Sequence, residues 1–201
     1  MEVKREYYLN QLISHKHNGL IKIISGIRRC GKSYLLSELF RKHLLAEGVK
    51  KDHIIHIALD DYEKKQYRNP NNCYKYVKSN IKDDNMYYLL LDEVQMMDSF
   101  EDVLNGFLHI KNLDVYVTGS NSKFLSSDVV TEFRGRGDEI RVYPFSFAEF
   151  YSAVGGDWSD AWREYYTYGG MPLILSKKTD EEKTKYLQDL FKETYIRDIE
   201  E

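Results

Sequence analysis

The chain has 201 residues, with 29 basic and 32 acidic side chains, a net charge of -3 and two cysteines. That length holds one domain with a substantial core plus a smaller appendage, and the slightly acidic balance gives no electrostatic footprint for nucleic acid beyond what a local basic patch would supply. The longest apolar run, residues 87–91, is far short of the ~20 residues of a membrane helix, and the charged N-terminus lacks a signal-peptide core, so a cytoplasmic protein without membrane contact and with free thiols is expected.

Residues 1–17 place Tyr7, Tyr8, Leu12 and Ile13 at helical spacing, which predicts a short amphipathic helix. Residues 20–24 (LIKII) read as a buried parallel strand. After a glycine-containing loop, SYLLSELF from Ser33 reads as a helix that ends near Gly48. Residues 53–59 (HIIHIAL) form the next predicted strand; His53 and His56 suggest a metal pair, but without further ligands they are placed on the strand surface. Asp60 and Asp61 at its end are either a cap or a contact to a metal-bound water. A turn rich in Asn and Pro follows, with Asn72 as the expected cap of a helix over 74–82. Residues 87–91 (YYLLL) are a buried strand running into Asp92 and Glu93. A helix is predicted over 98–110, capped by Asp98 or Ser99, then a strand over 114–121. Residues 132–138 make a polar glycine-rich loop, 140–145 the last strand, and Ser146 with Glu149 a capping box. Gly155-Gly156 marks the expected boundary between a core of residues 1–154 and a helical lid of 155–201, where 159–168 and 173–201 read as helices around the break at residues 169–172. The ending after Arg197-Asp198 reads as a cut through a larger protein.

Two stretches carry chemistry. Residues 26–33 (GIRRCGKS) fit the pattern Gly, four residues, Gly-Lys-Ser/Thr. At average residue usage the pattern arises by chance in roughly one chain in a hundred, so the strand before it and the helix after it decide the reading. Gly26 and Gly31 permit the backbone conformations of a loop whose N–H groups face anionic oxygens. In this pattern Arg28, Arg29, Cys30 and Tyr34 belong to the phosphate-binding segment, Lys32 reaches the β- and γ-phosphates, and Ser33 binds Mg2+. About 60 residues on, Asp92 closes a buried strand, as a Mg2+ ligand does. Glu93, pointing elsewhere, is suited to deprotonate an attacking water. Asn121 or Ser120 either senses the γ-phosphate or holds the water, or else caps the segment from Ser122, and Arg134 or Arg136 is either an arginine finger, in its own chain or toward a neighbouring one, or part of a solvated basic turn. Cys30 is either a small filler or a thiol activated by the loop.

These stretches resemble the P-loop ATPases of the AAA class, more narrowly a prokaryotic group with a C-terminal domain of unknown function. Residues 26–33, 89–95, 118–125 and 134–136, the run YPFSFAEF over 143–150, YGGMP over 168–172, and Arg197-Asp198-Ile199 carry the resemblance. It implies an α/β three-layer fold with a central parallel sheet in the order 5-1-4-3-2 and a small helical C-terminal extension. It also implies ATP and Mg2+ as ligands, Pro172 near adenine, and a protein partner or C-terminal domain driven by the nucleotide, with homo-oligomerisation in view. An ATP hydrolase that switches such a domain is the leading expectation. A slow nucleotide-gated binding module and a small-molecule kinase are the alternatives, and the absence of an Asn-Lys-x-Asp motif argues against GTP.

Overall fold

The computed structural model describes residues 3–119 and 135–196. They fall into two compact units. The larger contains Glu6–Gly26 and Lys32–Arg141, the smaller the N-terminal residues through Arg5, Ile27–Gly31 and the chain from Val142 onward.

In the larger unit, continuous apolar runs with no polar face form strands that must be covered on both sides. Four such strands and one polar edge strand pair in parallel: β1 (Ile21–Ser25), β2 (Ile54–Ala58), β3 (Tyr87–Asp92), β4 (Leu113–Thr118) and, at the edge, β5 (Gly137–Arg141), in the order β2-β3-β4-β1-β5. Alternation along each strand sends its residues to two faces. Ile21, Ile23, Ile55, Ile57, Leu89, Leu91, Val115 and Val117 pack with Cys73 and Val77 of α3 (Pro70–Asn80) and with Val103, Leu104 and Phe107 of α4 (Phe100–Phe107). On the opposite face lie Ile24, Leu90 and Tyr116, the last with its ring 4.5 Å from that of Phe40. Phe40 belongs to α2, a continuous helical run of Lys32–Tyr34, a wider π-type segment Leu35–Phe40 and Arg41–Ala46, and α1 (Glu6–Ser14) packs against that same run. Helix, sheet and helix thus give the three-layer α/β architecture, in the expected strand order. Each fully buried Leu or Ile contributes roughly 1.5–3 kcal/mol.

Lys22 sits on β1 with no solvent exposure. It forms an ion pair with Asp114 on β4 and donates to the carbonyl of Leu20 at 2.8 Å. Asp114 also accepts from Tyr116 Oη at 2.9 Å and from the backbone N–H of His17 at 3.1 Å. Burial lowers the pKa of Lys22, with Asp114 acting against that, and burial beside Asp114 raises that of Tyr116. This network lies at the start of the strands, away from the phosphate-loop end.

Several boundaries differ from the sequence reading. The third helix starts at Pro70, and its cap is Asn69, whose side chain accepts from the N–H of Asn72. Proline, which has no N–H to leave unsatisfied, suits that first position. β5 begins at Gly137, before the apolar run that drew attention to residues 140–145, because an edge strand needs no buried face on both sides. Ser99 precedes α4 with a left-handed φ of 48° and makes no side-chain cap bond. His53 lies in the turn before β2 rather than on the strand surface; it is buried, its ring 4.4 Å from that of Tyr87. Asp61 caps the turn Tyr62–Arg68 by accepting from the N–H of Glu63. Both cysteines are free and buried, and burial pushes the Cys73 thiol up to about 12.

The smaller unit has α5 (Phe147–Val154), α6 (Trp158–Tyr168) and α7 (Asp180–Phe191). Ser146 and Glu149 form the expected capping box, which contributes about 1 kcal/mol. The helix expected over 173–201 is instead a 3-10 turn, Pro172–Ser176, and then α7, started by a second capping box at Thr179 and Glu182. Val3, Phe145, Phe150 and Ala153 form one core, and Met171, Ile174, Tyr186 and Leu190 another. No helix among the described residues is long and apolar enough to cross a membrane.

Candidate functional site

In the larger unit the chemistry gathers where β1, β3 and β4 end. Gly26, directly after β1, has a φ of 141°, outside the range that L side chains adopt readily. Its carbonyl accepts from Lys32 Nζ at 2.9 Å, and Lys32 is almost entirely buried. One residue on, Ser33 Oγ donates to Asp92 Oδ1 at 3.1 Å. That oxygen also accepts from Thr118 Oγ1, the last residue of β4. Thr118 Oγ1 in turn accepts the backbone N–H of Glu93 at 3.0 Å. A single threonine hydroxyl therefore ties the two acids together.

Asp92 is 5% exposed, and among the described residues no lysine or arginine forms an ion pair with it. Burial raises its pKa most, the hydroxyls of Thr118 and Ser33 act against that, and the charges of Glu93 and Asp60 raise it further. Such a carboxylate fits a cation. The donors at hand, a carboxylate oxygen and a hydroxyl, are hard oxygen ligands of the kind Mg2+ takes alongside waters and phosphate oxygens. Among the described residues no group of three or more His, Cys, Asp or Glu could hold a metal without such help.

Glu93 takes a left-handed conformation, φ 54°, between the strand and the turn Val94–Met96. This bend separates its direction from that of Asp92 and brings Gln95 back beside it, where Gln95 Nε2 donates to Glu93 Oε2.

In the smaller unit, the loop residues 27–31 are held by Arg5. Its guanidinium donates to the carbonyl of Cys30 at 3.0 Å and of Tyr143 at 2.7 Å, pairs with Glu149 at 3.0 Å and lies 5.1 Å from the centre of the Phe145 ring. Within the loop the N–H of Cys30 donates to the carbonyl of Ile27 at 3.4 Å. Cys30 is fully buried, its thiol donating to the carbonyl of Val142 at 3.4 Å; this is the filler alternative. Arg29 has a φ of 63° and pairs with Glu193 at 3.1 Å, while Arg28 is exposed. Pro172 Cγ lies 3.8 Å from where a Cβ on Gly31 would be, so Pro172 adjoins the loop within this unit. Tyr34, in the larger unit, is exposed.

Arg136 does not join the group. Its carbonyl accepts from the N–H of Ile21 and its side chain reaches Asn105 at 3.1 Å, at the start of β1 and not at its phosphate-loop end. Asn121 and Arg134 lie outside the described residues. Sequence reasoning passed over Thr118, Gln95 and Arg5. For Thr118 a signal existed: a hydroxyl residue closing a buried strand in a chain with an acid-terminated strand.

Residues 18–151 match the family described as AAA domain. The chain is 31% identical over 203 residues to an uncharacterized protein of Haemophilus influenzae, covering 98% of this chain and 50% of that protein. It is 27% identical over 197 residues to an uncharacterized protein of Methanocaldococcus jannaschii, covering 90% and 42%. The chain thus spans about half the length of these curated relatives. Among solved structures, it is similar to a DNA polymerase III gamma subunit-related protein of Thermotoga maritima, with a TM-score of 0.53, 13% identity, and coverage of 84% of this chain and 55% of that one. It is also similar to S. cerevisiae Hsp104 in a complex with casein, with a TM-score of 0.52, 14% identity, and coverage of 82% and 30%. These two likenesses concern the fold. With a phosphate loop after β1, acids after β3 and the family match over two thirds of its length, the chain belongs to the AAA domain family.

Proposed function

We propose that this domain binds Mg-ATP and hydrolyses it, and that its nucleotide state switches an attached or partner domain. The observation that carries the reading is the bond from Ser33 to Asp92, which joins the lysine-serine end of the phosphate loop to the acid-ended strand.

In this reading Gly26, Arg28, Arg29, Cys30, Gly31 and Tyr34 belong to the nucleotide-binding segment, and Pro172 stands near the base. Lys32 exchanges the Gly26 carbonyl for phosphate oxygens. Ser33 and Asp92 hold Mg2+, which supplies polarisation of the phosphoryl oxygens when bound. Glu93 takes a proton from the attacking water. Asn121 is assigned to the γ-phosphate side. Arg134 and Arg136 are assigned as arginine fingers; the position of Arg136 at the start of β5 supports service to a neighbouring copy and not to its own chain. Mixing Arg136→Ala with Glu93→Gln protein is then expected to restore part of the turnover that each lacks alone. No recovery in the mixture would remove Arg136 from this role. The relatives' greater length supports a further domain as the recipient of the switch.

The test of the reading is nucleotide binding and turnover. ATP is expected to bind in a Mg2+-dependent way and to yield ADP and phosphate alone. Lys32→Ala is expected to lose roughly 10- to 100-fold in affinity, the scale of a hydrogen bond to a charged group. Unchanged calorimetric titration of Lys32→Ala would count against the site.

A further inference from the structure

Gln95 is half-buried two residues after Glu93, and its two polar atoms are in opposite states. Nε2 donates to Glu93 Oε2. Oε1 is buried with no hydrogen-bond partner among the described residues. The presence of the carboxylate fixes which end of the carboxamide faces it, because reversing the amide would set oxygen against oxygen. A buried acceptor without a partner is costly, and a native structure that keeps one calls for an explanation.

The local backbone shows how the atom comes to be there. Glu93 is left-handed, Val94–Met96 make one 3-10 turn, and the N–H of Met96 closes that turn on the carbonyl of Glu93 at 3.0 Å. Val94 is fully buried and Met97 nearly so, which anchors the turn on both sides of Gln95. The carboxamide is thus presented by a fixed backbone at the side of Glu93.

Resting on the reading of Glu93 as general base, we infer that Gln95 is a positioning residue for the attacking water. Its N–H group fixes the plane of the Glu93 carboxylate, and its Oε1 accepts a hydrogen bond from the water. A carboxylate has about four lone-pair sites, more than one amide donor occupies. In the hydrolytic step the water oxygen forms the new bond to the γ-phosphorus as the bond from that phosphorus to the leaving ADP oxygen breaks. Glu93 takes one proton of the water, and the other stays on the oxygen that becomes part of phosphate, directed by Gln95 Oε1. Two acceptors on one water define its orientation, which one cannot.

The experiment compares Gln95→Met, Gln95→Asn and Glu93→Gln, alone and with Gln95→Met combined with Glu93→Gln. It uses steady-state and single-turnover ATP hydrolysis, nucleotide affinity and thermal melting. Methionine keeps the length and volume without either polar atom, and asparagine keeps both polar atoms about one methylene short. Both single variants at position 95 are expected to lose roughly 10- to 100-fold in kcat, the scale of a misplacement of about 1 Å, with KM, ATP affinity and melting temperature unchanged. In the Glu93→Gln background, Gln95→Met is expected to cost little more, since residues that act as a unit are not additive. Full kcat in Gln95→Met while Glu93→Gln is inactive overturns this inference and leaves the base assignment standing. A loss in KM or melting temperature alone, or an undiminished loss in the double variant, overturns it as well by making Gln95 a structural or independent residue. Activity retained in Glu93→Gln overturns both assignments together.

Discussion

Glu93→Gln is expected to lower ATP turnover by roughly 100- to 10,000-fold, the range that a general base contributes, while ATP affinity stays within a few-fold. The separation follows from the geometry. Glu93 is held by its backbone N–H on Thr118, a contact that the substitution leaves in place. Glutamine has the same shape, so the phosphate loop and Asp92 keep their arrangement, and what is removed is the capacity to accept a proton together with the negative charge beside Asp92. The measurement is phosphate release under saturating Mg-ATP, paired with calorimetric binding. Turnover at the native rate would remove Glu93 from the chemistry; a parallel collapse of binding would make it a structural acid.

The second large effect falls in the smaller unit. A Cβ on Gly170 would lie 2.0 Å from the carbonyl oxygen of Phe145 and 2.9 Å from its carbonyl carbon. That strand of backbone cannot retreat freely. The N–H of Phe145 donates to Gly170 O at 2.7 Å, and its carbonyl accepts from Tyr165 Oη at 2.9 Å. Gly170→Ala must therefore break the Phe145–Gly170 bond or displace α6, and is expected to cost about 3 kcal/mol or more, at the upper end for overpacking. Gly169→Ala should cost less, since its Cβ would meet nothing within 4 Å and only the φ of 72° opposes it. The protein's two tryptophans, Trp158 and Trp162, both sit on α6. Urea unfolding followed by tryptophan fluorescence thus reports this unit directly, and coincident curves for Gly170→Ala and the unchanged protein would refute the clash.

Much of the fold and half of the site could be read from the chain because their signals are contiguous. The apolar runs of β1 and β3, with a glycine loop after one and acids after the other, need no knowledge of what lies across the sheet. Thr118, Gln95 and Arg5 need that knowledge. Thr118 acts on residues 25 and 26 positions away, and Arg5 reaches carbonyls 25 and 138 positions away. β5 was displaced for a related reason: Gly137, Asp138 and Glu139 carry no apolar pattern, and only their pairing with Ile21, Lys22 and Ile23 makes them a strand. His53 was assigned to the surface by its polarity, yet stacking on Tyr87 and an approach of 3.5 Å to Asp83 allow it to be buried.

The buried pair of Lys22 and Asp114 has a meaning beyond its own stability. Strands that are apolar on both faces specify their alignment weakly, because a slip of two residues returns every side chain to an equivalent environment. A slip of β4 against β1 would part Lys22 from Asp114 and leave two buried charges without an opposite charge, at a cost of several kcal/mol per ion. Only the observed alignment, with Lys22 beside Tyr116 and Ile24 beside Thr118, avoids this. The pair is a registration key at the opposite end of the sheet from the phosphate loop. Two residues of slip would carry Thr118 about 7 Å along the strand direction, out of reach of Asp92 and of the Glu93 backbone. The alignment of the acids with the loop is thus fixed at the far end of the strands, by residues remote from both.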